Sequence, residues 1–355
     1  MSGTSLDGVD AVLVDLSGTM PLVLKHTHLP FAKDLKHNLI TLNQSGAFEH
    51  ELEMASLTAN QLSRLYAECV KNLNIDTSSV KAIGCHGQTI RHQPSKGFTT
   101  QLVNGALLAE LTGINTVCDF RSRDIAAGGQ GAPLVPRVHQ AWFSLEDVHR
   151  IILNLGGIAN LTSLYPNQPV IGFDCGPANL LLDGWIERSI GQSFDDGGAW
   201  ARTGKINNDL LECLLQHPFL SLAPPKSTGR EDFNLAWLLS IDLVNHLAAQ
   251  DVQATLTEFT ALSVVKAVKE LKRHLPLELI CCGGGALNTY LLDRIATHLP
   301  EAKITTTKEF GLAVDQVEAA AFAWLAYAFE QGLTGNIPSV TGAKHPVVLG
   351  ALYPA

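Results

Sequence analysis

The chain has 355 residues, 46% hydrophobic and 17% charged, with a formal net charge of −9 and a pI near 5.8. That length supports two sizeable cores, and so low a charge content speaks against a disordered tail. The acidic balance argues against non-specific nucleic-acid binding, which rests on basic surface. Cys69, Cys85, Cys118, Cys175, Cys213, Cys281 and Cys282 are odd in number and mostly sit in apolar segments, with no CxxC or C…H spacing that suggests zinc. They read as reduced thiols of a cytoplasmic protein. The polar, glycine-rich first residues do not resemble a signal peptide. The most apolar run, Ala319–Phe329, is too short to span a bilayer and fits a buried helix.

In chain order, MSGTSLDGVDAVLVDL opens with a Gly/Ser/Thr turn carrying one acid, followed by a strand at Val9–Leu16. That strand pairs with Leu22–His28 across Ser17-Gly18-Thr19. Phe48–Leu73 is helical, because Leu62, Leu65, Tyr66, Cys69, Val70 and Leu73 recur at steps of three and four. A strand at Val80–Gly84 runs into Cys85-His86-Gly87-Gln88, and another at Asn115–Phe120 runs into Arg121-Ser122-Arg123-Asp124. Ala127–Pro133 is glycine-rich and reads as a crossing between lobes. Ile151–Leu155 begins a second strand–glycine–strand unit, IILNLGGIANLTSLY. A strand at Val170–Phe173 leads to a helix at Asn179–Ser189. A long helix over Leu256–His274 follows, then a strand at Glu278–Cys282 ending in a third glycine cluster, and a closing helix at Asp315–Phe329.

Strands alternating with helices mean an α/β protein, whose ligands bind where strands end. Three glycine turns in this order point to a nucleotide held between two lobes by backbone N–H groups, since small residues let the backbone approach phosphate oxygens. The weak similarity of the two glycine hairpins suggests two related halves. The domains read as 1–130 plus 313–355, carrying the first hairpin and the closing helix, and 131–312, carrying the second hairpin and the third glycine turn.

Gly3 and Gly8 permit the first turn, Thr4 and Ser5 offer hydroxyls to phosphate oxygens, and Asp7 can hold Mg²⁺ through water. An ordinary polar hairpin is the plainer reading of that turn alone. Asp174 stands at a strand end before Gly176-Pro177, where a carboxylate can act as general base or as a turn or cap residue; spacing leaves the two readings even. His86-Gly87-Gln88-Thr89 offers donors suited to a sugar or phosphate, or is a surface loop. His86 and His92 are poorly spaced for a metal. Arg121 and Arg123 suit a carboxylate or phosphate, or an ion pair with Asp124. Glu318, opening an apolar helix, compensates the helix dipole or faces the ligand. Lys226-Ser227-Thr228-Gly229 lacks the lead-in of a Walker loop, and Asp195-Asp196-Gly197-Gly198 lacks EF-hand spacing; both can border the substrate.

MSGTSLDGVD, CHGQTIRH, DFRSRDIAAGGQGAPLVP, NLGGIANLT, GFDCGPANLLLD, PKSTGRE, CGGGALN and the closing VTGAKHPVVLGALYPA together resemble the 1,6-anhydro-N-acetylmuramic acid kinase family, over nearly the whole chain. The resemblance implies the two-lobed actin/hexokinase/Hsp70-like ATPase fold, with ATP in an interlobe cleft that closes on its ligands. It implies hydrolysis of the 1,6-anhydro bridge coupled to phosphorylation of O6 by ATP and Mg²⁺, in the recycling of cell-wall sugars. By resemblance the catalytic base falls on Asp174. Gly3, Thr4, Ser5, Leu6, Asp7, Gly8, Val9 and Asp10 match the ATP-binding segment, with Gly156 and Gly157 in the second phosphate hairpin. Gly283, Gly284 and Gly285 lie near adenosine. His86, Gly87, Gln88, Thr89, Arg123 and Glu318 fall on the sugar side. The family also implies a homodimer, with neither nucleic acid nor membrane as partner.

In one respect the chain departs from the family pattern. Family members carry several apolar residues ahead of MSGTSLDG, forming the first half of the strand that leads into the phosphate turn, whereas this sequence starts inside the motif. The resemblance therefore implies a first hairpin with one short arm, from a start assigned too far downstream or from trimming. Two other readings stand beside an anhydro-sugar kinase: a kinase of the same fold with another sugar or acid substrate, and a nucleotide-driven conformational protein akin to chaperones. The loops at Asp174, His86 and Arg121/Arg123 favour an enzyme.

Overall fold

The computed structural model describes residues 1–355 except 4–5, 45–48 and 272–273. The chain divides into two compact units, Met1–Trp142 with Gln316–Ala355, and Phe143–Asp315.

In the first unit, β1 (Gly8–Asp15) and β2 (Leu22–Pro30) form an antiparallel hairpin, from Gly8 opposite Pro30 to Asp15 opposite Leu22. Helices α1 (Lys33–Asn43) and α2 (Glu51–Lys71) follow. Helix α2 buries Leu62, Tyr66 and Cys69, one stripe at helical spacing. Strand β3 is only Ile83–Gly84. Next come the hairpin β4 (Gln88–Gln93) and β5 (Phe98–Leu102), helix α3 (Gly105–Thr112), strand β6 (Thr116–Cys118), and helices α4 (Ser122–Ala126) and α5 (Val135–Phe143). The core joins Leu39 and Leu42 of α1 and the α2 stripe to Val9, Ile90, Leu102 and Leu108.

The second unit holds one five-stranded sheet. Strands β7 (His149–Leu155), β8 (Ile158–Leu164) and β9 (Ile171–Pro177) form an antiparallel meander. Helices α6 (Asn179–Ile190), α7 (Asn208–Leu215), α8 (Leu235–Leu239) and α9 (Ala249–Leu271) follow, then β10 (Leu277–Cys282), α10 (Thr289–His298) and β11 (Ala302–Thr306). The sheet order is β11-β10-β7-β8-β9, with β10 parallel to both β7 and β11. Helix α9 is buried around most of its circumference. It packs Ala261, Val264, Val265 and Val268 against Ile151, Leu153, Leu279 and Cys281 of the sheet, and such all-round burial explains why its sequence shows no clean polar face.

The chain then returns to the first unit as α11 (Val317–Glu330), α12 (Pro338–Thr341) and β12 (Ala351–Tyr353). Here the sheet order is β12-β6-β3, with β3 parallel and β12 antiparallel to β6. The hairpin β1–β2 stands apart from that sheet as a separate pair. No described helix is long and apolar enough to cross a membrane.

Strands β1, β2, β3, β6, β7, β8, β9 and β10 and helices α2, α6, α9 and α11 fall where hydrophobic period and turn residues place them. Part of the expected helix over Phe48–Leu73 lies outside the described residues at position 48, as does part of Leu256–His274 at 272–273. Strand β9 runs on through Asp174 to Pro177, where a strand was expected to stop at Phe173. Gly176 does not end it, because its positive φ of 148° is taken within a strand whose Gly176 faces Ala159 of β8. Helices α1, α3, α5, α7, α8 and α10, the β4–β5 hairpin and strands β11 and β12 were not expected.

Candidate functional site

In the first unit the glycine turn and the loop after β3 are tied together. Gln88 is buried, and its side-chain amide donates to the Gly3 carbonyl at 3.2 Å. The Ser2 hydroxyl lies 2.7 Å from the Tyr66 hydroxyl and 3.4 Å from the Gly87 carbonyl. Gly87 has φ 76°, and a Cβ there would sit 2.8 Å from the Leu102 carbonyl, so only glycine fits where β4 begins. The Oε1 of Gln88 is buried without a hydrogen-bond partner among the described residues. Such an orphan acceptor suits a ligand hydroxyl or N–H. Thr89 is half-buried on β4.

His86 is buried and stacks at a tilt on Phe322 of α11, ring centroids 4.6 Å apart. Arg121 donates from Nε to its Nε2 at 3.0 Å, and from a terminal nitrogen to the Gly131 carbonyl at 2.8 Å. Burial, reinforced by that guanidinium, holds the imidazole well below its ordinary pKa, so it stays neutral and accepts at Nε2. Glu318, in the first turn of α11, reaches solvent yet is crowded by protein on its other sides. The resulting desolvation raises its carboxyl above the usual range, Arg121 and the terminal amine oppose the rise, and Asp10 adds to it. Glu318 thus belongs to the polar neighbourhood of Arg121 rather than only to a helix dipole.

Arg123 is exposed on α4. The expected pair between an arginine and Asp124 does not account for that acid. Asp124 is fully buried and accepts from Gly131 N–H, Asn336 Nδ2 and Thr341 Oγ1 at 2.6–2.7 Å.

Of the expected ATP-binding turn, Thr4 and Ser5 lie outside the described residues. Leu6 has φ 55°, and Asp7 is exposed with Oδ1 accepting from Gly8 N–H at 2.9 Å. An exposed carboxylate fits Mg²⁺, which commonly takes one or two carboxylates and completes its shell with water and phosphate. Val9 is buried, so its side chain serves the core. Asp10 shares Oδ1 between His26 Nε2 at 3.1 Å and His28 Nδ1 at 3.0 Å, an engagement that spacing did not reveal.

In the second unit, Gly156 and Gly157 turn β7 into β8. Their carbonyls accept from the start of α6, Asn179 N–H to Gly156 and Ala178 N–H to Gly157, both at 3.0 Å. Added Cβ atoms on these glycines would meet nothing nearer than 3.6 Å, so the open face of the turn is available to a ligand. Gly283 differs: φ is 78°, and a Cβ would lie 2.5 Å from Asn154 Oδ1 and 2.8 Å from the Leu155 carbonyl. The 283–285 turn is therefore packed directly on the 154–157 turn. Gly284 is exposed, and Gly285 is buried against Leu155 and Asn179. Gly283→Ala is expected to cost about 1–3 kcal/mol from backbone strain alone, read as a lowered denaturation midpoint. An unchanged midpoint would contradict this packing.

Asp174 is neither a turn nor a cap residue. It lies in β9 opposite Asn160 of β8, and α6 begins after Ala178 without a side-chain cap. Its N–H donates to the Lys226 carbonyl at 3.1 Å, and Oδ2 accepts from Thr228 N–H at 2.9 Å and from the Ser227 hydroxyl at 3.1 Å. Desolvation raises its carboxyl above the usual value, the Thr228 and Ser227 donors pull it back, and the charge of Glu231 adds to the rise. A carboxylate held by two donors yet left with raised basicity is equipped to take a proton. The loop 226–231 is thus part of the site in this unit.

A family model described as anhydro-N-acetylmuramic acid kinase matches residues 1–355. The chain belongs to the anhydro-N-acetylmuramic acid kinase family. It is therefore an enzyme, a kinase. Relatives carrying the name anhydro-N-acetylmuramic acid kinase include that of Nitrosomonas europaea, 51% identical over 361 residues covering 100% of this chain and 98% of the relative. That of Thiobacillus denitrificans is 50% identical over 360 residues, covering 100% and 96%. That of Pasteurella multocida is 47% identical over 362 residues, covering 100% and 95%. Among solved structures, the activator of the 2-hydroxyisocaproyl-CoA dehydratase from Clostridium difficile is similar at 12% identity and a TM-score of 0.42, over 91% of this chain and 98% of that one. The ROK hexokinase from Thermus thermophilus is similar at 16% identity and a TM-score of 0.33, over 90% and 100%.

Within this kinase the structure gathers His86, Gln88, Gly3 and Arg121 in the first unit, and the 156–157 and 283–285 turns in the second. Sequence reading missed Ser227 and Thr228 as partners of Asp174. The signal available is Lys226-Ser227-Thr228-Gly229, a donor-rich loop that spacing places only at the border of the substrate.

Proposed function

We propose that this kinase opens the 1,6-anhydro ring of 1,6-anhydro-N-acetylmuramic acid with water and phosphorylates the released O6 from ATP. The products are N-acetylmuramate 6-phosphate and ADP, and the role is recycling of cell-wall sugar in the cytoplasm. Family membership over residues 1–355 supports the substrate. The clamped carboxylate of Asp174, raised by burial, is the observation that carries the mechanism.

Asp174 takes a proton from water as that water's oxygen bonds to the anomeric carbon. The bond from that carbon to O6 breaks, and the electron pair passes to O6. O6 then attacks the γ-phosphorus in line, and the bridging oxygen leaves with ADP. Gly3–Asp10, Gly156 and Gly157 present backbone to the phosphates, and their N–H groups stabilise charge on the transferring group. Asp7 would hold Mg²⁺ through water, which supplies neutralisation of phosphate charge when bound. Gly283, Gly284 and Gly285 border adenosine. His86, Gly87, Gln88, Thr89, Arg123 and Glu318 hold the sugar, with the Gln88 Oε1 acceptor and the Arg121 neighbourhood supporting that side. A homodimer follows from the family, with no nucleic-acid or membrane partner.

The test is ADP release with ATP, Mg²⁺ and the anhydro sugar, against ATP alone. Sugar-dependent release of ADP is expected, and sugar-independent turnover would overturn the substrate assignment. The clamp gives a second expectation. The Ser227 hydroxyl lowers the carboxyl pKa of Asp174, so Ser227→Ala is expected to move the acid limb of the rate profile to higher pH. Ser227→Thr, which keeps a hydroxyl, should restore it; an unmoved limb in Ser227→Ala would remove the clamp from the mechanism.

A further inference from the structure

Half-buried arginines in this chain have a partner for their charge. Arg91, Arg150 and Arg294 each reach a carboxylate at 2.6–2.7 Å. Arg137 lies over the Trp324 ring, 5.3 Å from its centroid, a face that attracts a cation. Among the described residues Arg121 is the exception. It is half-buried too, yet its hydrogen bonds go to two neutral acceptors, His86 Nε2 at 3.0 Å and the Gly131 carbonyl at 2.8 Å. Burial pulls its pKa down, and Glu318 and Asp124 oppose that fall only through their fields. Asp124 is already occupied by Gly131, Asn336 and Thr341. A desolvated charge without a counter-charge in contact is costly, so this guanidinium lacks an anion.

The donors for one are in place. A guanidinium carries five N–H groups in a planar fork. Nε gives one to His86 and Nη1 gives one to Gly131, leaving three, with both of those on Nη2 among them. The bonds already made hold the plane of the fork. His86 is itself stacked on Phe322, ring centroids 4.6 Å apart, and Gly131 N–H is tied to Asp124. A fork fixed in this way suits a carboxylate or phosphate oxygen pair.

The proposed reaction brings two such anions, the carboxylate of the sugar acid and the phosphates of ATP. Local charge separates them. Desolvation raises the Glu318 carboxyl, Arg121 opposes the rise, and Asp10 adds to it, so two acids already bear on this spot. They repel a singly charged carboxylate less than they repel a triphosphate. Gln88, two residues from His86, adds a buried Oε1 without a hydrogen-bond partner among the described residues. A cation beside a free acceptor fits a ligand that carries both an acid and a hydroxyl or amide N–H.

We propose that Arg121 binds the lactyl carboxylate of 1,6-anhydro-N-acetylmuramic acid through Nη2, and so sets the preference of this kinase for an acid-bearing anhydro sugar. This role rests on the substrate proposed above. The lactyl ether on O3 is what distinguishes that sugar from neutral 1,6-anhydro-N-acetylglucosamine, and Arg121 is the residue that reads it.

The test compares kcat/KM for these two sugars, with saturating ATP and Mg²⁺, in the parent protein, Arg121→Gln and Arg121→Lys. The parent is expected to favour the acid by about 10–100-fold, as hydrogen bonds to a charged group usually give. Arg121→Gln should abolish that preference, and Arg121→Lys, which keeps the charge and loses the fork, should retain part of it. A preference that survives in Arg121→Gln overturns the proposal; a KM for ATP that rises alongside it assigns the guanidinium to phosphate. A parent that phosphorylates both sugars equally well also overturns it and leaves the kinase reading standing. A parent that phosphorylates neither removes the substrate reading, and this role with it. Should both variants melt early, the parent alone decides. Its His86 Nε2 accepts from Arg121 Nε, so the ¹⁵N shift of that nitrogen is expected to move further with the acid sugar than with the neutral one. Equal shifts would overturn the proposal.

Discussion

Asp174→Asn is expected to lower turnover by about 10²–10⁴-fold, the usual worth of a positioned general base, while leaving ATP affinity nearly unchanged. The amide keeps an oxygen that can accept from Thr228 N–H and Ser227 Oγ, so the local geometry of β9 and the 226–231 loop is retained. What it loses is a basic lone pair matched to a proton on water. Stability separates this account from simple unfolding. Burial raises the carboxyl of Asp174 above its unfolded value. The native state then binds its proton more tightly than the unfolded state, and ionisation at pH above that raised value disfavours the fold. Removing the charge should hold or raise the melting temperature at neutral pH. A variant that turns over normally removes Asp174 from the mechanism, and one that is inactive and melts early assigns it a structural role instead.

The largest effect on stability is expected at Asp124. Its carboxylate is fully buried and accepts three short bonds, from Gly131 N–H at 2.7 Å, Asn336 Nδ2 at 2.6 Å and Thr341 Oγ1 at 2.7 Å. Asn336 and Thr341 are themselves buried, and Asn336 Oδ1 accepts from Val347 N–H at 2.8 Å. One side chain therefore pins α4 to the segment around α12 within the first unit. Asp124→Ala orphans three donors in a site closed to water, at a cost of about 3–5 kcal/mol. Asp124→Asn presents a donor where a donor already points, and should fall between the parent and the alanine variant. Chemical denaturation measures both. A change under about 1 kcal/mol for Asp124→Ala, the range of an ordinary surface substitution, would show that the network is not holding this segment.

Legibility in the sequence followed the physics of each signal. Hydrophobic stripes with strong period, such as Leu62, Tyr66 and Cys69 on α2, are local and could be read directly. The strands that enter glycine turns were equally plain, because Gly156-Gly157 and Gly283–Gly285 interrupt runs of Ile, Leu and Cys. What spacing did not decide is what a residue touches across the fold. Asp174 read evenly as base or turn residue until Ser227 and Thr228, more than fifty positions away, were seen on its carboxylate. Arg121 and Asp124 invited an ion pair by proximity, yet the acid belongs to Asn336 and Thr341 and the guanidinium to His86. Asp10 matched a nucleotide-binding segment, while its carboxylate faces His26 and His28 on β2. Long-range hydrogen bonds carry no periodicity, so only tertiary structure reveals them.

Running the reaction in ¹⁸O water and weighing the product shows whether water opens the anhydro ring as O6 is phosphorylated. The expected product is a sugar phosphate carrying one ¹⁸O at the anomeric position and none in the transferred phosphate. A phosphorylated sugar without ¹⁸O, or ¹⁸O found only in free phosphate, would contradict it: the first would mean transfer without hydrolysis of the ring, the second hydrolysis of ATP alone.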